Sequence, residues 1–441
     1  MTARKVVLIG AGSASFTRGL VADMMLTGDP WNIHLVDVNP ENLEVAHGVV
    51  QRMIAARPSP VTVTATTDRR AALSGADAVV TTFGIGGRRA WELDVFVPRQ
   101  HGIYQPVGDS VMPGGISRAM RHVPLAVAIA RDIAELCPDA LFVNYANPMS
   151  AITRGIRKAT GVDVLGLCHG VIHVQGYLAE MAGLPLHETA LTCIGVNHCT
   201  WITEFKHQGR SVWPQIDAIL EKTPPTLPEP GAPFSGAAPF SWELYQLYGA
   251  FPAVLDRHVT EFYPDLCREG AYYGMTLGVD AYSFEGTIAT GDEGFRKMSA
   301  VARGDAPLDK RVFDHAPGEH EQLVTILDCL AGKRQGIFSV NLPNAGRVPG
   351  VSDDAILEGN AFIDENGVRV LSVGTIPLAL ADQIARRAAI TELTVDAALT
   401  GDPNLMAQAI LADGAVVRPQ AAMALAQDLL KAQAPYVSQP N

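Results

Sequence analysis

The stretch Val6-Val7-Leu8-Ile9-Gly10-Ala11-Gly12-Ser13-Ala14-Ser15 decides the fold. Four consecutive apolar residues predict a strand covered on both faces, as in parallel sheets lying between helix layers. Gly10 permits a tight turn at the strand end, and Gly12 lets the backbone approach a pyrophosphate. The helix that follows, with Ser13 at its cap, supplies unpaired N–H groups for that anion. The third glycine of the G-x-G-x-x-G fingerprint is Ser15 here. Further on, Ile33–Val36 predicts a second strand, and Asp37 just beyond it suits the ribose hydroxyls of NAD and repels the extra phosphate of NADP. The plain alternative is an ordinary strand–turn–helix junction with a capping serine.

Outward from this core, β-rich runs recur at Val61–Thr64, Ala78–Thr82, Leu141–Val143 and Val164–Leu167. Helical spacing over Ile116–Leu136 and Val171–Met181 falls between or after them. Alternation of this kind predicts an α/β fold, a Rossmann-type doubly wound parallel sheet over residues 1–190. An α+β domain with C-terminal helices is expected over residues 191–441. There Thr189–Phe205 reads as strand material broken by Asn197 and His198, and Thr223–Phe240 as a Pro/Gly-rich loop or lid. Short helices are expected at Ser241–Tyr248 and Val259–Leu266. Strands are expected at Ile337–Leu342 and Phe362–Val373, the latter turning at Glu365-Asn366-Gly367. Pro377–Gly401 and Asn404–Leu411 read as helices, and the chain from Gln433 as a frayed tail.

Composition excludes several function classes. Of 441 residues, 48% are apolar, too many for a disordered chain. Lysine and arginine total 34 against 46 acids, a net charge of −12 with no basic block, which argues against nucleic acid as a partner. No apolar run approaches the roughly 20 residues of a membrane span, and the start is too short for a signal peptide. Six irregularly spaced cysteines do not form a disulfide framework, so a reducing cytoplasm is expected.

Four segments carry polar chemistry: Val107-Gly108-Asp109, Asn147-Pro148-Met149, Cys168-His169-Gly170 and Asn197-His198. Asn147 follows an apolar strand, so its amide is expected at the crevice beyond the sheet's carboxyl edge. Cys168 also ends a strand, and a thiolate with the imidazole of His198 suits a divalent transition metal. A buried apolar cysteine and a hydrogen-bonded histidine are the bland reading of the same two residues.

Together these segments resemble glycoside hydrolase family four, the NAD- and metal-dependent glycosidases, which share their fold with lactate and malate dehydrogenases. The resemblance runs through Lys5–Phe16, Val107–Arg121, Asn144–Thr153, Leu165–Gln175, Gly195–Phe205 and Phe251–Pro264, with weaker support at Asn344–Gly346 and Glu392–Leu399. It implies NAD held by Gly10, Gly12, Ser13, Asp37 and Asn147, and a divalent ion, typically Mn2+, held by Cys168 and His198. The Cys-His-Gly form resembles the branch that acts on unphosphorylated α-glycosides. Asp256 is the expected base, with Tyr263 and Tyr248 in reserve. Asp109 and His169 are expected to protonate the leaving group or to grip the sugar, and Asn147, His169 and Arg121 to contact it. The implied route is C3 oxidation by NAD, C2 deprotonation, elimination, water addition and re-reduction. Arg88, Arg89, Arg118 and Arg121 are candidate cations for an anionic sugar such as a glucuronide, galacturonide or sulfoquinovoside. A plain NAD-dependent dehydrogenase and a non-catalytic NAD-binding sensor remain as other readings. The family resemblance also implies a dimer or tetramer.

Overall fold

A computed structural model describes residues 2–224, 238–271, 283–314 and 322–437, without the side chains of residues 14 and 15. Six parallel strands come first: β1 (Arg4–Ile9), β2 (Trp31–Val36), β3 (Val61–Thr66), β4 (Ala78–Thr81), β5 (Leu141–Asn144) and β6 (Leu165–Gly166). Their spatial order is β3-β2-β1-β4-β5-β6, the doubly wound arrangement expected from the sequence. Alternate residues of β1 enter different cores, which explains its unbroken apolar run. Val7 and Ile9 join the cluster containing Val123 and Ile129, while Val6 and Leu8 join that of Leu20 and Val50.

Seven further strands appear among the described residues: β7 (Thr189–Val196), β8 (Cys199–His207), β9 (Arg210–Ser211), β10 (Phe251–Pro252), β11 (Gly336–Pro343), β12 (Ile356–Asp364) and β13 (Gly367–Val370). They extend the same sheet. β11 pairs antiparallel with β6 through Asn341 and Gly166, and the order continues β11-β12-β7-β8-β10. β7, which begins at Thr189, is the first strand after the parallel set. The helices Leu378–Thr400, Pro403–Asp413 and Pro419–Gln433 then return to the first half, where Val395, Ile410 and Leu425 share the cluster of Val123 and Ile129.

Most expected elements are present, and two differ. Asn197 and His198 form the turn of a β7–β8 hairpin rather than a break in one strand. Gln433 is not frayed: it is 2% exposed and its Nε2 donates to Ala90 O at 2.8 Å and to Asp94 Oδ1 at 2.7 Å. Of the expected loop over Thr223–Phe240, residues 225–237 lie outside the described residues, and the helix Pro239–Tyr248 begins directly afterwards. Among the described residues, no helix is long and apolar enough to cross a membrane.

Candidate functional site

The carboxyl edge of the parallel strands gathers the polar residues. At one end, Gly10 has φ of +91°, and a Cβ there would lie 2.4 Å from the backbone of Phe83. A Cβ on Gly12 would lie 2.6 Å from Asp37 Oδ2, so the loop accepts only glycine at both positions without displacement. The Gly12 N–H donates to Asp37 Oδ2 at 2.8 Å and the Asn39 N–H donates to Oδ1 at 2.9 Å. These bonds fix the carboxylate beside the turn and leave lone pairs for further donors. Ser13 stands at the N-cap of the helix Ala14–Leu26 and makes no side-chain cap bond.

At the other end, Cys168 follows β6 and His198 occupies the β7–β8 turn. Cys168 Sγ and His198 Nε2 are 3.7 Å apart. Sulfur and nitrogen bound to one ion at about 2.3 and 2.1 Å, near the tetrahedral angle, stand about 3.6 Å apart, so the pair fits a shared divalent ion. The Gly170 N–H, opening the helix Gly170–Met181, donates to Cys168 Sγ at 3.4 Å. Burial pushes the His198 imidazole below its usual range, which favours the neutral, ligating form. His169 is exposed beside Cys168, at the N-cap of that helix.

Asp109 and Asn147 complete the crevice. Asn147 Nδ2 donates to Asp109 Oδ2 at 3.0 Å, and the Asn147 carbonyl accepts from Arg118 Nε at 3.1 Å. Burial raises the Asp109 carboxyl, but the His198 and His258 imidazoles in their protonated forms and the Arg118 guanidinium outweigh it and bring Asp109 to about 2. Asp109, His198 and His258 each bring a ligand-type atom within 4.8 Å of the others. Sequence spacing alone gives His258 no role. Its ring centroid lies 4.2 Å from that of His198, and its buried Nδ1 has no hydrogen-bond partner among the described residues.

Two expected roles are displaced. Asp256 does not reach the crevice as a free carboxylate. Its Oδ1 accepts from the Ser241 N–H at 2.8 Å and hydroxyl at 2.7 Å, and its Oδ2 accepts from the Phe240 N–H at 3.1 Å. It therefore satisfies the open N–H groups that begin the helix Pro239–Tyr248. Arg121 is equally committed, with both terminal nitrogens on Asp94 at 2.8 Å and side-chain exposure of 1%. Arg88 and Arg89 pair with Asp292. Of the four arginines, Arg118 alone makes no hydrogen bond to a carboxylate among the described residues. The reserve base Tyr263 accepts from Gln383 Nε2 at 3.3 Å and packs on Phe240, and burial pushes its hydroxyl well above the usual phenol range.

Glu261 is a further residue with no sequence signal. It is 1% exposed, and its Oε1 accepts from the N–H groups of Val107 and Gly108 at 3.1 and 2.8 Å, which clamps the loop bearing Asp109. Burial, then the charge of Asp109, raise this carboxyl from 4.5 to about 8. The native state thus holds a proton that the unfolded chain releases near 4.5, so this group's contribution to stability is present below 4.5 and falls as pH rises to about 8. Glu261→Gln is expected to flatten the loss of stability between those pH values, measured by denaturant unfolding. An equal slope in both chains would refute it.

The family model described as "Family 4 glycosyl hydrolase" matches residues 5–184, and that of the "Family 4 glycosyl hydrolase C-terminal domain" matches residues 193–416. An α-galactosidase of Rhizobium meliloti (strain 1021) is 30% identical over 459 residues, covering 100% of this chain and 90% of that protein. An α-galacturonidase of Bacillus subtilis (strain 168) is 31% identical, covering 93% of this chain and 92% of its own. Among solved structures, a 6-phospho-α-glucosidase from gut microorganisms in complex with NAD and Mn2+ superposes with a TM-score of 0.83 at 18% identity, over 98% of both chains. A lactate dehydrogenase from a Medee basin deep-sea metagenome library superposes at 0.53 and 13% identity, over 90% of this chain and 100% of that one, a likeness of fold.

Proposed function

Because this chain belongs to glycosyl hydrolase family 4, we propose that it hydrolyses an unphosphorylated α-glycoside with NAD and a divalent ion, of which Mn2+ is the first candidate. The observation that carries this reading is the Cys168–His198 pair, 3.7 Å apart at the edge of a sheet whose first turn brings Gly12 onto Asp37. Residues 1–190 would supply the dinucleotide site and residues 191–441 the remaining ligand and the acid–base groups. When bound, NAD would supply hydride acceptance and return at sugar C3, and the ion, held by Cys168 and His198, would supply Lewis-acid polarisation of the sugar oxygens.

The residues divide the remaining work. Gly10, Gly12 and Ser13 admit the pyrophosphate, and Asp37 accepts the ribose hydroxyls. Cys168 and His198 hold the ion, while Asn147 and Asp109 position the sugar beside the nicotinamide. With C3 oxidised, the C2 proton is acidic and a base must remove it. We assign this to His258 in place of Asp256, because the His258 Nδ1 is buried and has no partner among the described residues, whereas both Asp256 oxygens are taken. Asp109, held ionised, has no proton to give, so the leaving oxygen is protonated by His169. Water then adds at C1 and His258 returns the proton to C2, so that the hydrolysis would leave no net redox change.

A second reading of the substrate, an α-galacturonide, is favoured by Arg118, whose terminal nitrogens have no carboxylate partner among the described residues. Aryl α-galactosides, α-glucosides, α-galacturonides and 6-phospho-α-glucosides, assayed with NAD and Mn2+, separate these cases. Hydrolysis in D2O is expected to put deuterium at C2 of the product with no accumulation of NADH. Stoichiometric NADH would instead mean a dehydrogenase, and an unlabelled C2 would end the elimination scheme.

A further inference from the structure

We propose that Ser110 is a positioning residue for the metal ligand His198: its hydroxyl locks the imidazole in the Nδ1–H form and ties it to Asp109, so that Nε2 presents its lone pair toward Cys168. This inference rests on the metal reading above.

Counting protons fixes the direction of each bond. The Ser110 hydroxyl has one hydrogen and lies 2.8 Å from Asp109 Oδ1 and 2.9 Å from His198 Nδ1. A carboxylate only accepts, so that hydrogen points to Asp109. The contact with Nδ1 is then a hydrogen bond only if Nδ1 carries the proton and donates to Ser110 Oγ. Nε2, on the side of Cys168, is left with its lone pair. Asp109 does not do this directly, since its Oδ1 is 3.9 Å from Nδ1, beyond hydrogen-bond reach. The hydroxyl is the bridge between them.

The bridge joins segments that lie far apart in sequence. His198 has φ of +66°, the left-handed region, in a tight hairpin turn. Ser110 approaches from a loop 88 residues away in sequence. Asp109 is in turn held through Oδ2 by Asn147 Nδ2 at 3.0 Å, and the carbonyl of Asn147 lies 2.7 Å from His122 Nδ1. One chain of hydrogen bonds therefore runs from the amide proposed to face the nicotinamide to the imidazole proposed to hold the ion. Partners of this kind orient a ligating histidine, and their loss weakens metal binding about 10–100-fold.

The test uses the full chain without substrate. Mn2+ binding is titrated by the EPR signal of the free ion, the His198 tautomer is read from 15N shifts, and NAD affinity serves as the check on folding. Ser110→Ala is expected to weaken Mn2+ binding about 10–100-fold and to mix the tautomers, with NAD affinity unchanged. Ser110→Thr, which keeps the hydroxyl, is expected to stay within about threefold of the parent. The proposal is overturned if Ser110→Ala binds Mn2+ as the parent does, or if Ser110→Thr is as weak as Ser110→Ala. Should Ser110→Ala also lose NAD affinity, Ser110→Thr and the tautomer of the parent chain decide instead, and an Nε2–H form there overturns the proposal. Cys168→Ser separates the metal reading from the relay. If the parent and Cys168→Ser bind Mn2+ alike, the metal reading itself falls; if only Ser110→Ala is silent, the relay falls alone.

Discussion

Cys168→Ala is expected to bind NAD with unchanged affinity yet to lose at least about a thousandfold in glycoside turnover at saturating NAD and Mn2+. The magnitude follows from the step affected. Removal of a proton beside a carbonyl develops negative charge on the sugar oxygens, and a bound ion offsets several kcal/mol of that charge, where 1.36 kcal/mol corresponds to a factor of about ten. Cys168 and His198 have the donor chemistry and, at 3.7 Å, the spacing of a shared ion, and Asp109 and His258 lie beside His198. Without the thiolate, His198 would keep Asp109 and His258 as neighbouring ligand-type groups, and the ion would be held less tightly. The dinucleotide turn is untouched, because a Cβ built on Gly10 or Gly12 would meet Phe83, Asn42 and Asp37 and not Cys168. Turnover and Mn2+ affinity, measured on the same preparation, check the expectation together. More than a tenth of the parent rate in Cys168→Ala would remove the ion from the mechanism.

The nucleotide half was legible because its information is local. A covered strand, a turn that needs glycine and a carboxylate one strand later lie within the first 37 residues, and the sheet places Gly12 on Asp37 as that pattern predicts. The second half was read in outline only. Its strands carry apolar signals, but nothing in Gly336–Pro343 says that it joins β6 rather than founding a sheet of its own; that pairing is a single contact between Asn341 and Gly166. Site residues divide in the same way. A cysteine and a histidine stand out by type, whereas Ser110, His258 and Glu261 acquire meaning only from partners far along the chain. Glu261 reaches Gly108 across 153 residues, and Ser110 reaches His198 across 88. The displaced residues, Asp256 and Arg121, are the reverse case. A charged residue in a matching segment suggests chemistry, and only the fold reveals that its valences are already taken by a helix end or by a buried counter-ion.

Arg121 supplies the second large effect, on stability rather than turnover. Asp94 is 0% exposed and receives four hydrogen bonds: two from Arg121 at 2.8 Å, one from Ser117 Oγ at 2.8 Å and one from Gln433 Nε2 at 2.7 Å. One carboxylate thus joins three helices, Gly87–Arg99, Met112–Leu136 and Pro419–Gln433. Asp94→Ala leaves the Arg121 cation buried without a counter-charge, a change that costs about 3–5 kcal/mol. Against a total stability of about 5–15 kcal/mol, that is a large fraction. The double variant Asp94→Leu with Arg121→Met is expected to recover most of the loss, because a buried ion pair contributes little net over apolar groups of similar volume. Denaturant unfolding of the three chains measures this directly. The single variant Arg121→Met, added to this set, decides what Arg121 does. A substrate contact would raise KM on Arg121→Met while leaving unfolding unchanged, whereas an ion pair serving the fold lowers stability and leaves the double variant with near-parental KM.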